Sequence, residues 1–147
     1  MAPAIKLRKE HLEAMVQHAL EDAPIECCGI VASLDGTSAG IYRARNLHES
    51  EFRFEIHPLD YRRIEEAIEA RGASVAGTYH SHTGRYNDDD PPGAESVASA
   101  TDVRMLGFFE PPFVHFVVGV GHRDHPVVRA WHIQHGDKTE QTYELVD

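Results

Sequence analysis

No stretch of this chain approaches the ~18 consecutive apolar residues that a membrane-spanning helix needs. The opening segment, Met1-Ala2-Pro3-Ala4-Ile5-Lys6-Leu7, also lacks the long apolar run of a signal peptide. These absences predict a soluble, unexported protein with no membrane partner. Cysteine is scarce: the only two, Cys27 and Cys28, are adjacent, which excludes an ordinary disulfide framework and makes a reducing cytoplasm the simplest compartment. Basic charge is in deficit, with 14 Lys and Arg against 24 Asp and Glu and a net charge of -10. A surface of that sign disfavours phosphate backbones, so nucleic acid is not expected as a partner. Repeats and linkers are missing too, and the one biased tract is Asp88-Asp89-Asp90. The 147 residues suit one domain, residues 1–147, large enough to bury a core without disulfides or structural metal.

What is present reads as a mostly β chain interrupted by helices. Leu12, Met15, Val16, Ala19 and Leu20 repeat with helical spacing and predict an amphipathic helix over 9–21, ended by Pro24. Residues 28–33 and 41–44 read as a hairpin about Asp35-Gly36. Phe52 and Phe54 alternate with charged residues as in a strand, and His57-Pro58 breaks the chain. Asp60 can then cap a second helix with Leu59, Ile64, Ala67 and Ile68 as its apolar stripe and Gly72 at its end. A third helix is predicted over 96–106, followed by strands over 113–120, 127–133 and 139–146.

The chemistry concentrates between His80 and Asp102. The small and β-branched run Ala73-Ser74-Val75-Ala76-Gly77-Thr78-Tyr79 predicts a strand leading into His80-Ser81-His82. Residues two apart on a strand share a face, so both imidazoles can meet one ion while Ser81 turns away. Ser99 and Asp102 are three apart on the predicted helix, which would put hydroxyl and carboxylate on one side of it. Two imidazoles and a carboxylate suit zinc and leave a fourth position open for water, as a catalytic site requires. A base is still needed. Glu26 stands where the first helix has ended and an apolar strand begins, an unusual place for a charge unless that strand end faces a cleft.

Taken together, Glu26, His80-Ser81-His82, Ser99 and Asp102 resemble the JAMM (MPN+) family of zinc-dependent isopeptidases, whose pattern is a distant Glu, then His-x-His, then Ser-x-x-Asp. The resemblance spans nearly the whole chain. It is nearest to the stand-alone prokaryotic members that trim the C-terminus of ubiquitin-like sulfur-carrier proteins, which share Tyr79 to Thr83 and the Thr101-Asp102-Val103 continuation. It implies an α/β (α+β) fold, cytidine-deaminase-like, with a mixed, mostly antiparallel curved sheet flanked by helices. It further implies a Zn2+ cofactor held by His80, His82 and Asp102, with Glu26 as the base and Ser99 as the oxyanion partner. The implied activity is hydrolysis of an amide bond at the C-terminus of a small β-grasp protein partner. The pattern leaves oligomeric state open, homodimer included. A non-catalytic MPN-type protein-binding scaffold is the alternative. A zinc nucleoside deaminase is disfavoured because its His-x-Glu and Cys-x-x-Cys signature is missing.

The chain departs from the family pattern in one place. Sixteen residues lie between His82 and Ser99, more than the family usually has, and Ala98 stands where proline is usual. The extra stretch, from Gly84 to Gly93, is rich in turn formers and charge and predicts a mobile exposed loop at the cleft rim. Its three aspartates read as a solvated run, with substrate selection or self-inhibition at the metal as the functional alternatives. His122, Asp124 and His125 read as a solvated turn, Cys27 and Cys28 as packing residues, and Trp131 as core.

Overall fold

The computed structural model describes residues 4–107 and 113–147; the expectation for Met1 to Pro3 lies outside them. In chain order the elements are β1 (Lys6–Arg8), α1 (Lys9–Asp22), β2 (Cys28–Leu34), β3 (Thr37–Ala44), α2 (Pro58–Ala70), β4 (Ser74–His82), α3 (Ala100–Leu106), β5 (Val114–Gly119), β6 (Val127–Gln134), β7 (Asp137–Gln141) and β8 (Glu144–Val146). They form one mixed sheet of order β7-β6-β5-β4-β2-β3-β1-β8. The pairs β2/β3, β2/β4, β5/β6 and β6/β7 are antiparallel, whereas β4/β5, β1/β3 and β1/β8 are parallel. Among the described residues no helix is long and apolar enough to cross a membrane.

The two edge strands β7 and β8 are joined by Thr142 and Tyr143 alone. So short a connection spans only about 10 Å, and the sheet must curl until its edges meet. It wraps around α1, which touches β1, β3, β4 and β5. The predicted stripe of α1 packs there, with Met15 and Ala19 buried and Leu12, Val16 and Leu20 partly buried against Val31, Tyr79, Phe116 and Val118. The other face is covered by α2, through Ile64 and Ile68 on Ile30 and Ala32, and by α3 with its preceding segment, through Leu106 and Ala98 on Val117, Trp131 and Ile133. Asp35 and Gly36 adopt the positive φ angles, 53° and 81°, that a two-residue hairpin turn demands. Gly72, at φ 75°, follows the end of α2 as predicted.

Four expectations are corrected. Phe52 and Phe54 belong to no strand: that stretch forms a single bridge, Asn46 to Ile56. The Asn46 amide takes the place of a ladder, donating to the carbonyls of Glu26 and Arg53 and accepting from the amides of His48 and Glu55. The third helix starts at Ala100 rather than Ser96, because Ser96 is engaged elsewhere: Ser96 Oγ donates to the Val127 carbonyl and Trp131 Nε1 donates to the Ser96 carbonyl. The last strand divides between the two sheet edges. Finally, His57 rather than Asp60 caps α2, accepting from the Leu59 amide; Leu59 faces solvent at 68 % exposure, and Ala67 is exposed as well.

Asp60 is buried for a different reason. Its Oδ2 accepts from Arg45 N at 2.8 Å and Arg45 Nε at 3.0 Å, and its Oδ1 accepts from Arg45 Nη2 at 3.0 Å and Arg63 Nη2 at 2.8 Å. The hydrogen bonds from Arg45 outweigh burial and hold the carboxyl down at about 2. That lies below the unfolded value of ~3.9, so the group stabilises the fold fully above about pH 4 and loses its contribution as pH falls towards 2. Asp60→Ala is expected to lower unfolding free energy at neutral pH by about 2 kcal/mol, the scale of hydrogen bonds to a charged group. It should also flatten the stability profile in that acid window. Urea denaturation at neutral and acid pH checks both.

Candidate metal centre

β4 lies inside the sheet, between β2 and β5. Its entry needs Gly77, since a Cβ there would fall 1.7 Å from the Val114 carbonyl oxygen. From that point Thr78, His80 and His82 alternate onto the face covered by α3, opposite His115, Val117 and Gly119 of β5. Ser81 points the other way, and its Oγ accepts from the Cys27 amide at 2.8 Å. The sequence-predicted division of labour along this strand is therefore what the strand presents.

Asp102 reaches the same place by a local rule. Ser99 is the N-cap of α3 and Asp102 its third residue, and the two form a capping box: Ser99 Oγ accepts from Asp102 N at 3.0 Å, and Asp102 Oδ2 accepts from Ser99 N at 2.9 Å. The serine thus stands just outside the helix, not on its flank as expected. The same Oδ2 lies 2.9 Å from His80 Nε2 and 3.1 Å from His82 Nε2, and the two nitrogens are 3.2 Å apart.

Glu26, just before β2, is 3 % exposed. Its amide donates to the Ser50 carbonyl, and its carbonyl accepts from Asn46 Nδ2. Its Oε1 is buried without a hydrogen-bond partner, and ligand atoms of Glu26, His80 and His82 all lie within 4.8 Å of one another. The structure thus brings all five predicted residues into one neighbourhood. Half-buried Ser99 lines a cavity of about 360 Å³ together with Glu26, Phe52, His82, Arg85 and Tyr86. A second cavity of about 360 Å³, between α2 and α3 and lined by Phe54, Tyr61 and Met105, contains none of the five.

The electrostatics separate the two carboxylates. Burial pushes Glu26 up to about 8, His82 opposing and Asp102 assisting. Burial also opposes ionisation of Asp102, but the imidazoles of His80 and His82 prevail and hold its carboxyl far below the usual range. Burial lowers His80 despite Asp102. His82 is raised: burial works against it, and hydrogen bonding to Asp102 overcomes burial.

Whether a cation suits these groups can be judged from their spacing. Tetrahedral bonds of ~2.0–2.1 Å put neighbouring ligand atoms about 3.3 Å apart, and the triangle here has edges of 2.9, 3.1 and 3.2 Å. Two nitrogens and one ionised oxygen converge, and an unpartnered carboxylate oxygen lies alongside. The residues fit a divalent metal such as zinc.

Several neighbours escaped the sequence reading. Phe54 stacks on His80 with ring centroids 4.1 Å apart. The His82 Nδ1–H donates to the Glu95 carbonyl at 2.7 Å. The 83–98 stretch is exposed only in its first part: Glu95, Ser96 and Ala98 are buried. The aspartates stay on the rim, where Asp90 accepts from the Asn87 amide and its carbonyl accepts from His122 Nε2. No spacing marks Glu95 or Phe54 in advance, because both act across tertiary contacts.

Fold and site together define a class: a curled mixed sheet carrying a buried His-x-His and carboxylate centre at the end of an inner strand, beside a cleft. A family model described as prokaryotic homologs of the JAB domain matches residues 8–134, and the chain belongs to that family, within the JAMM/MPN+ proteins. The chain is 27% identical over 145 residues to the CysO-cysteine peptidase of Mycobacterium tuberculosis, covering 96% of this chain and 90% of that protein. It is 30% identical over 121 residues to the desampylase of Haloferax volcanii, covering 77% and 78%. The solution structure of protein DSY2949 from Desulfitobacterium hafniense superposes with a TM-score of 0.76 at 25% identity, over 97% of this chain and 93% of that one.

The full chain is expected to bind about one divalent metal ion, and His80→Ala and Asp102→Ala to lose it, since an open zinc site uses three protein ligands and each variant leaves two. Elemental analysis after gel filtration measures this. Equal metal in wild type and variants would remove these residues from the centre.

Proposed function

We propose that this protein is a zinc-dependent metallopeptidase that hydrolyses an amide bond at the C-terminus of a small ubiquitin-like or sulfur-carrier protein of β-grasp fold. One observation carries the reading: a dehydrated carboxylate, Glu26, with an unpartnered oxygen, stands beside a triangle of cation-binding atoms that share Asp102 Oδ2. With Glu26 as the base beside three ligands rather than as a fourth ligand, one position is left open for water, as in catalytic and not in structural zinc sites.

His80, His82 and Asp102 would hold the ion. When bound, zinc supplies Lewis acidity and brings the pKa of water down to ~7. Glu26 is the general base: pushed up to about 8 by burial, it has the basicity to take a proton from the attacking water and the acidity to return it to the leaving amine. Ser99 serves the oxyanion. Its Oγ lone pair already accepts from the Asp102 amide, which leaves its hydroxyl hydrogen to donate to charge that grows in the transition state.

The substrate class rests on the relatives named CysO-cysteine peptidase and desampylase and on the cleft. Phe52 and Tyr86, 83 % and 67 % exposed, flank it and give an extended tail apolar surface. Such a tail can dock through its backbone as an added strand. The free, buried Cys27 and Cys28 suit a cytoplasmic home.

Glu26→Gln is expected to keep zinc and lose turnover by at least ~10²-fold, because an amide cannot accept the proton. Ser99→Ala should lose a comparable factor, on the order of 10²-fold, and also about 1 kcal/mol of stability as a lost N-cap. Single-turnover rates with parallel melting curves separate the two effects. Intact-mass analysis of a β-grasp carrier bearing an extra C-terminal residue should show its loss, suppressed by a chelator. No chelator-sensitive loss across several carriers would leave the protein-binding scaffold or another amide substrate.

A further inference from the structure

Glu95 is a buried carboxylate that the chemistry above does not use. It is 1 % exposed, and a carboxylate is costly to bury unless its oxygens are satisfied. Here both are: Oε1 accepts from the Gly93 amide at 3.1 Å and Oε2 from the Gly121 amide at 2.8 Å. Room for it exists only because two neighbours lack side chains. A Cβ on Gly119 would fall 2.9 Å from Glu95 Cδ, and one on Gly121 would fall 3.0 Å from its Oε2. Gly119 is the cross-strand partner of His82, and the Val120 amide donates to the His82 carbonyl at 3.0 Å. The side chain therefore pins residues 93–95 to the end of β5, next to His82.

The main chain of the same residue does something specific. Its carbonyl accepts from His82 Nδ1 at 2.7 Å. A carbonyl oxygen only accepts, so the Nδ1 atom carries a hydrogen and Nε2 is the atom turned towards Asp102 and His80. We propose that Glu95 is a positioning residue of the metal centre: its carboxylate anchors its own carbonyl against His82 and so fixes the tautomer and ring orientation that offer Nε2 to a cation. This deepens the metal reading and rests on it. It also divides the long stretch between His82 and Ser99 into an exposed rim, 84–92, and a brace, 93–98, that the centre depends on.

The experiment uses the full chain with Glu95→Ala and Glu95→Gln, and with Asp60→Ala as a control of similar stability cost away from the centre. Nitrogen-15 NMR of histidine in the metal-free protein at alkaline pH reads the His82 tautomer, and competition between zinc alone and a chromophoric chelator reads affinity. Glu95→Ala is expected to lose the single Nδ1–H form and to bind zinc roughly 10–100-fold more weakly, the usual effect of removing a group that orients a ligand. Glu95→Gln should fall between, because its amide oxygen can accept one backbone N–H but its NH2 cannot accept the other. If Glu95→Ala does not fold, the Gln variant carries the test. Asp60→Ala should change neither readout. A pure Nδ1–H form and unchanged zinc affinity in a folded Glu95 variant would overturn the proposal. Wild type that binds no zinc would overturn the metal reading instead, and the metal-free tautomer would still decide the role of Glu95.

Discussion

One carboxylate oxygen, Asp102 Oδ2, joins the two halves of this site. It accepts from the Ser99 amide at the start of α3, and it lies within 3.1 Å of Nε2 of both His80 and His82 at the end of β4. The first contact belongs to helix capping and the others to the centre, so a single atom fixes where the helix begins and where the imidazoles converge. α3 therefore cannot shift along its axis without disturbing the triangle of Asp102 Oδ2 and the two imidazole nitrogens. A capping interaction is ordinarily a local matter of about 1 kcal/mol. Here it also sets the geometry of the candidate metal centre.

The surrounding elements hold that contact. β4 is an inner strand, paired on both sides, and the curl enforced by the short link from β7 to β8 keeps the sheet wrapped on α1. On the opposite face, Trp131 donates to the Ser96 carbonyl and Lys138 to the Ala98 carbonyl, pinning the chain that enters α3. Two carboxylates near one another thus acquire opposite characters from their neighbours: Asp102 beside two imidazoles stays ionised, while Glu26, with an oxygen that has no partner, is pushed up to about 8. Opposed shifts of this kind would let one site give binding and proton transfer to the same residue type, the roles proposed for Asp102 and Glu26.

Much of this was legible in the chain. The helical period of α1 and the run into His80 and His82 carry their own geometry, because strand alternation and helical spacing are backbone properties. Ser99 and Asp102 were correctly joined, although the three-residue spacing meant a capping box and not a shared helix flank. Pattern and structure part where side chains replace backbone pairing. Alternation at Phe52 and Phe54 looked like a strand, yet the Asn46 amide supplies the hydrogen bonds a neighbouring strand would have given. An exposed loop is expected over 84–93 and a helix from Ser96, yet residues 93–98 are neither: two amide bonds to Glu95 let that segment be buried without helix.

The sequence by itself determined which groups are available, His80, His82, Ser99, Asp102 and Glu26, and that the two histidines share a strand face, since both follow from residue type and the two-residue period of a strand. Tertiary structure alone decided that Asp102 meets the histidines and that Glu26 arrives beside them. It also decided that Phe54 stacks on His80 and that the Glu95 carbonyl selects the His82 nitrogen. These depend on the order of strands in the sheet and on burial. Neither is encoded in local spacing, because pairing partners distant in the chain and the water excluded between them exist only once the sheet has closed around its core.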